Sequence, residues 1–252
     1  MISADRLKAY CLLIFSCSIL SCSSNYQVVQ SRRSEYPINT SLAADSAMVK
    51  KYWPYKLRLD SQMNGVIGHS DIALTKKFVQ GESLLGDFFA DAAFSEARKI
   101  DPQIDFAIPS TNGGLRNDLP QGPITLSNVF ELMPFENELI VFTLKGEDVA
   151  SLLDFIAKTG GQPIANLRLR IADNKIAAAT INGKAFDPAK EYRVLTSDYI
   201  AGGGDGLNSF KNPVAKKILG LKVRDALILY IKGKEALNQK ITASLDGRTG
   251  ND

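Results

Sequence analysis

Apolar positions along the chain recur with two periods. From Glu82 to Lys99, Leu84, Leu85, Phe88, Phe89, Ala92 and Ala93 repeat at helical spacing and predict a helix with one broad buried face. Val149, Leu152, Leu153 and Ile156 do the same from Gly146 to Thr159, where Gly160-Gly161 closes the helix. A short apolar helix is predicted from Val223 to Ile231. Between Asp45 and Met63, Met48, Tyr52, Tyr55 and Leu59 share a helical face, with Pro54 predicting a kink or a late start. Ile104–Ile108, Glu138–Leu144 and Tyr192–Thr196 are short runs that read as strands, and Gly65–Leu74 as a strand and loop. Leu167–Ile171 and Ile176–Ile181 form a hairpin about Asp173-Asn174, with Arg168 and Arg170 on its solvent face. Helices interspersed with antiparallel hairpins predict a single α+β domain with a mixed β-sheet and packed helices, over residues 45–236. The polar tail at 237–252 is expected to fray.

The strand at Tyr192–Thr196 runs into Ser197–Leu207, SDYIAGGGDGL. Gly202, Gly203 and Gly204 permit left-handed backbone and close approach of another group. Tyr199 offers an aromatic face and Asp205 an acceptor for hydroxyls, a combination suited to a flat ring carrying a sugar. A tight surface turn after a core tyrosine accounts for the same residues. In a second loop, Ser110–Arg116 (STNGGLR), two glycines precede Arg116, so that backbone N–H groups and a guanidinium are available to an anion. Asp87 and Asp91, four apart on the first helix, are either solvated or hold a neighbouring loop.

The N-terminus changes the cellular picture. Arg6 and Lys8 precede an apolar run at 9–20, too short to span a bilayer, and Ile19-Leu20-Ser21-Cys22 resembles a bacterial lipobox. The expectation is a signal peptide at 1–21, acylation of Cys22, and a polar tether at 22–44 that holds the domain at the cell envelope, on its periplasmic or surface face. Cys11 and Cys17 would leave with the signal, so disulfide scaffolds and thiolate chemistry drop out. A net charge of +3 without a clustered basic stripe gives nucleic-acid binding little support. His69 is the sole histidine, expected to be a loop residue satisfied by neighbours or water. One histidine is too few for a dinuclear phosphoesterase centre, and no nucleophile elbow accompanies it.

Five motifs in order complete the reading: GVIGHS at 65–70, GESLLGDFFADA at 81–92, TNGGLR at 111–116, GPITLSNVFELMPFENELIVFTLKG at 122–146 and INGKAFDPAKEYRVLTSDYIAGGGDG at 181–206. Together they resemble the C-terminal, substrate-binding domain of 5′-nucleotidases and UDP-sugar hydrolases, over about residues 45–232. The resemblance implies that Tyr199 is one face of a base-stacking clamp, that Asp205 meets the ribose, that Gly203 and Gly204 shape the loop, and that Asn112 and Arg116 face the phosphate or ribose. The family's second stacking aromatic falls at Leu139, so a one-sided clamp is expected; Thr111 stands where the family's loop begins with asparagine, and Asp87 where asparagine is common. It further implies a nucleotide or nucleoside substrate and hydrolysis on a separately encoded metallophosphoesterase chain, with the divalent metals there and no cofactor in this chain. The alternative is a non-catalytic surface lipoprotein that binds a nucleoside or a sugar-like ring.

Overall fold

Why the longest periodic stretch becomes a helix is visible at its ends. In the computed structural model, which describes residue 28 and residues 30–251, the Ser83 hydroxyl accepts from the Gly86 N–H at 3.0 Å and caps a helix at Leu84–Ile100. Arg98 and Lys99 occupy its last turn, where positive charge meets the helix carbonyls favourably. The lipobox and Cys22 lie outside the described residues.

In chain order the elements are α1 (Ser46–Met63), β1 (Val66–Ser70), α2 (Leu84–Ile100), β2 (Phe106–Ile108), β3 (Gly122–Thr125), α3 (Leu126–Leu132), β4 (Glu138–Lys145), α4 (Gly146–Lys158), β5 (Leu167–Ala172), β6 (Lys175–Ile181), β7 (Lys184–Ala185), β8 (Glu191–Ser197), the single-turn α5 (Asp198–Ala201), β9 (Ala215–Lys222), α6 (Val223–Ala236) and β10 (Thr249–Asn251). The class is α+β, and the expected mixed sheet is divided: two four-stranded sheets, ordered β2-β8-β4-β9 and β10-β5-β6-β7, and a two-stranded β1-β3 pair.

The first of these sheets is the centre of the domain because both its faces are apolar. Leu139 and Val141 of β4 and Leu195 of β8 point into a core shared with Leu85 and Phe89 of α2 and Leu227 and Ile231 of α6. Their strand neighbours Ile140, Phe142 and Val194 point the other way, toward Val149, Leu152 and Ile156 of α4 and toward Leu167 and Leu169 of β5. Strand β5 alternates buried and exposed positions, Arg168 and Arg170 being exposed, so its sheet packs through one face only and stays separate from the central one.

Pairing then decides where the loops go. Strands β2 and β8 are parallel, whereas β4 runs antiparallel to β8. The segments following β2 and β8 and the segment preceding β4 therefore emerge at the same end of the sheet.

The tail does not fray. The Ile241 N–H donates to the His69 carbonyl at 2.7 Å, and β10 lies parallel to β5 with Thr249 opposite Leu169. Arg248, buried, donates to both oxygens of Asp91 at 2.8 and 2.9 Å and to Asp246 at 3.1 Å, with Asp87 at 3.5 Å. The Glu82 carboxylate accepts from the backbone N–H groups of Gly247 and Thr249 at 3.2 and 2.7 Å. Hydrophobic periodicity cannot reveal such a segment, because polar groups hold it and it adds few apolar residues to the core. Asp87 and Asp91 are thus the side chains that dock it.

The cost of this arrangement falls on Asp87. Burial, opposed by Arg248 and reinforced by Glu82, pushes its carboxyl up to about 7, and its Oδ2 is buried without a partner. The folded state therefore holds a proton that the unfolded chain releases near pH 4, and Asp87's contribution to stability falls as pH rises from about 4 to 7. Asp87→Asn mimics the protonated form. We expect it to raise the melting temperature most near pH 8, by less near pH 5 and not at all below about pH 4, and so to flatten the profile measured by thermal denaturation.

Candidate functional site

The converging loops enclose a cavity of about 310 Å³, within the range of small-molecule sites. Ser110, Gly113, Gly114 and Arg116 line it from the loop after β2, Phe135 and Asn137 from the segment before β4, and Tyr199 and Asp205 from the segment after β8. A larger hollow of about 640 Å³ beside Gln62, Val66, Leu126 and Lys232 is more open and brings together no comparable set of aromatic, basic and acidic groups.

Each part of the glycine run has its own reason. Gly203 is left-handed at φ +92°, a conformation that costs a residue with a side chain. Gly204 lies under the Tyr199 ring, where an added Cβ would sit 2.5 Å from Cε1. Gly202 is free of both constraints at φ −74°. Asp205 itself is left-handed, at φ +54°, which aspartate tolerates better than most residues. The Tyr199 hydroxyl donates to Asp205 Oδ1 at 3.0 Å, and the Thr111 hydroxyl donates to Asp205 Oδ2. Thr111, a departure from the family's asparagine, thus joins the two loops through the carboxylate. The hydrogen bond to Asp205 and then the charge of Asp205 make the Tyr199 hydroxyl harder to ionise than usual.

The second aromatic in the cavity lining is Phe135. Leu139, expected at that position, is 0% exposed in the core, whereas Phe135 is 41% exposed and Tyr199 49%. The expectation of a one-sided aromatic lining is therefore corrected. The backbone enters β4 at Glu138, so that Leu139 already faces inward opposite Ser197, and the exposed ring belongs to the turn before the strand.

That turn is held by Arg224, which the sequence did not single out. Its guanidinium donates to the carbonyls of Met133 and Phe135 at 3.4 and 3.3 Å, pairs with Glu136, and lies 4.0 Å from the centre of the Phe130 ring. Hydrogen bonds from Lys222 and Arg224 hold the Glu136 carboxyl at about 2. The cue was available only in three dimensions: Arg224 is a buried arginine at the start of α6, 88 residues from Glu136.

Arg116 is exposed at the cavity wall. Among the described residues its guanidinium meets no carboxylate, and its hydrogen bond is a long one, 3.4 Å, to the Gly113 carbonyl. Asn112 is placed elsewhere. Its side-chain amide donates to the Gly161 carbonyl at 3.0 Å and its N–H to Gln162 Oε1 at 2.9 Å, so it braces the loop instead of lining the cavity. Gly203 and Gly204 also stand behind the lining. His69 lies on β1, not in a loop, with Nδ1 3.1 Å from the Glu235 carboxylate. Among the described residues no group of three or more histidine, cysteine, aspartate or glutamate side chains is arranged to hold a metal ion.

At one end of its central sheet this α+β domain gathers two exposed rings, a carboxylate and a guanidinium that meets no carboxylate among the described residues, the kinds of group that can contact a ring-bearing polar ligand. Residues 66–212 match the family model for the 5′-nucleotidase C-terminal domain, and the chain belongs to that family. It is 29% identical over 219 residues to cell wall protein Lmo0130 of Listeria monocytogenes, covering 77% of this chain and 28% of that protein. It is 31% identical over 142 residues to protein UshA of Escherichia coli, covering 54% of this chain and 26% of UshA. The fold is shared with a 5′-nucleotidase precursor from Thermus thermophilus, at a TM-score of 0.69 and 24% identity, over 83% of this chain and 44% of the other. The chain thus spans under a third of these two relatives and under half of that structure.

Proposed function

We propose that this chain is the nucleoside- or nucleotide-holding half of a split 5′-nucleotidase-type hydrolase, anchored in the bacterial cell envelope by an acylated Cys22. The observation that carries the reading is the lining of one 310 Å³ cavity by the exposed rings of Tyr199 and Phe135 together with Asp205 and Arg116. The rings take the base, Asp205 the sugar hydroxyls and Arg116 the anionic end of the ligand. Hydrolysis falls to a separate metallophosphoesterase chain that supplies the metal-activated water, while this chain fixes the substrate's position and orientation.

Purified chain is expected to release no phosphate from AMP in the presence of divalent metal, and to accelerate release when the cognate phosphoesterase is added. Phosphate release by this chain alone would overturn the assignment. Gly204→Ala is a sharper probe of the cavity. Its methyl would collide with the Tyr199 ring and with the Tyr199 carbonyl oxygen, so nucleoside affinity per folded molecule, measured by calorimetry, should fall by about 1–3 kcal/mol, as on loss of a stacked aromatic, together with a lowered melting temperature as the turn shifts.

A second reading, capture of a nucleoside or sugar-like ring without hydrolysis, is favoured by the sparse positive charge at the cavity: Arg116 is the one basic residue among its described lining residues. Under that reading adenosine binds at least as tightly as AMP; under the first, AMP binds more tightly.

A further inference from the structure

Helix α1 has no buried residue along its 18 residues, although its sequence is far from polar. Tyr52, Tyr55, Leu59 and Met63 recur at i, i+3, i+7 and i+11 and form one stripe, in which Tyr55 is 73% and Leu59 57% exposed. Lys51 and Arg58 border the stripe on one side and Lys56 on the other. Four basic residues, Lys50, Lys51, Lys56 and Arg58, stand against one acidic residue, Asp60, which pairs with Lys56. The Lys56 ammonium also lies 5.9 Å from the centre of the Trp53 ring. Pro54 removes the N–H that would close on the Lys50 carbonyl, leaving that oxygen to a polar surrounding.

We propose that α1 is a membrane-surface helix that lays its tyrosine–leucine stripe into the headgroup region of an anionic bilayer, with Lys51, Lys56 and Arg58 on lipid phosphates. No described helix is long and apolar enough to cross a membrane, so α1 would lie along the surface. Charge selects the bilayer over a protein partner. Tyrosine, tryptophan and arginine suit both kinds of surface, but basic residues flanking the stripe on both sides, with the one acid already paired to Lys56, complement an anionic headgroup layer. The proposal rests on the helix face and is independent of acylation at Cys22.

Trp53 is the chain's sole tryptophan and reports directly on α1. The full chain carrying Cys22→Ser, which cannot be acylated, should show a blue shift of Trp53 emission with vesicles of phosphatidylcholine and phosphatidylglycerol, and little or none with phosphatidylcholine alone. Lys51→Gln with Arg58→Gln should weaken vesicle affinity by about fivefold for each charge removed. Tyr55→Ser with Leu59→Ser should abolish the shift while circular dichroism shows the fold retained. The proposal is overturned by emission unmoved by anionic vesicles, or by an equal shift with uncharged ones. It is equally overturned if emission moves with added metallophosphoesterase or with protein concentration in the absence of vesicles, since the face then belongs to a protein.

Discussion

Arg248→Ala is expected to lower the free energy of unfolding by about 3–5 kcal/mol, the largest loss of stability from any single polar substitution considered for this chain. The size follows from what remains behind. Asp91, Asp246 and Asp87 gather around one guanidinium, and Asp87 is buried. Desolvation works against the Arg248 charge, but hydrogen bonds from its guanidinium to Asp91 and Asp246 outweigh it and make the group harder still to deprotonate. Without the arginine, buried Asp87 loses its counter-charge, Asp91 and Asp246 lose their shared donor, and the segment leading into β10 loses its side-chain attachment to α2. Arg248→Lys should recover only part of the loss, because an ammonium cannot reproduce the two-pronged contact with Asp91. Chemical denaturation measures the loss, and hydrogen exchange of the Leu169 amide, which donates to the Arg248 carbonyl at 2.6 Å, should accelerate. A loss below about 1 kcal/mol would mean that the tail is a surface ornament, as its sequence alone implied.

The contrast between that tail and helix α2 shows which parts of the fold hydrophobic patterning can reveal. Leu85, Phe88, Phe89, Ala92 and Ala93 announce α2 because the face they form is the face that is buried. Residues 238–251 contribute Ile241 to the core and otherwise depend on carboxylates that a linear reading leaves in solvent. The site divides in the same way. Tyr199, Asp205 and Arg116 were legible because each sits in a short segment that follows a strand and has glycines nearby, and all three line the cavity. Asn112 was misplaced because a side chain in a glycine loop can turn either way, and Gln162 and Gly161 decide the direction. Thr111 reads in sequence as a departure from the family's asparagine, and in the fold it is a hydroxyl donor to Asp205. Phe135 was missed by four positions, a displacement that only the start of β4 settles. Arg224, which secures the Phe135 turn, leaves no local signature at all.

The register at Phe135 gives the second large effect. Replacing Tyr199 and Phe135 together by alanine is expected to weaken nucleoside binding by about 2–5 kcal/mol, with each single replacement costing about 1–3 kcal/mol. The two rings line one cavity and, on the proposed reading, address one ligand, so the losses should not be strictly additive, and a double-mutant cycle by calorimetry measures their coupling. Both side chains are partly exposed, so the melting temperature should move little. Leu139→Ala is the informative contrast. Its side chain is enclosed by the core between the central sheet and α2, and its removal should cost about 2–5 kcal/mol of stability while affinity per folded molecule stays near that of the parent. The opposite pattern, binding lost with Leu139→Ala and untouched by Phe135→Ala, would restore the one-sided clamp and remove Phe135 from the site. If neither Tyr199→Ala nor Phe135→Ala alters affinity for any nucleoside or nucleotide, the cavity at the end of the central sheet is not where this domain meets its ligand.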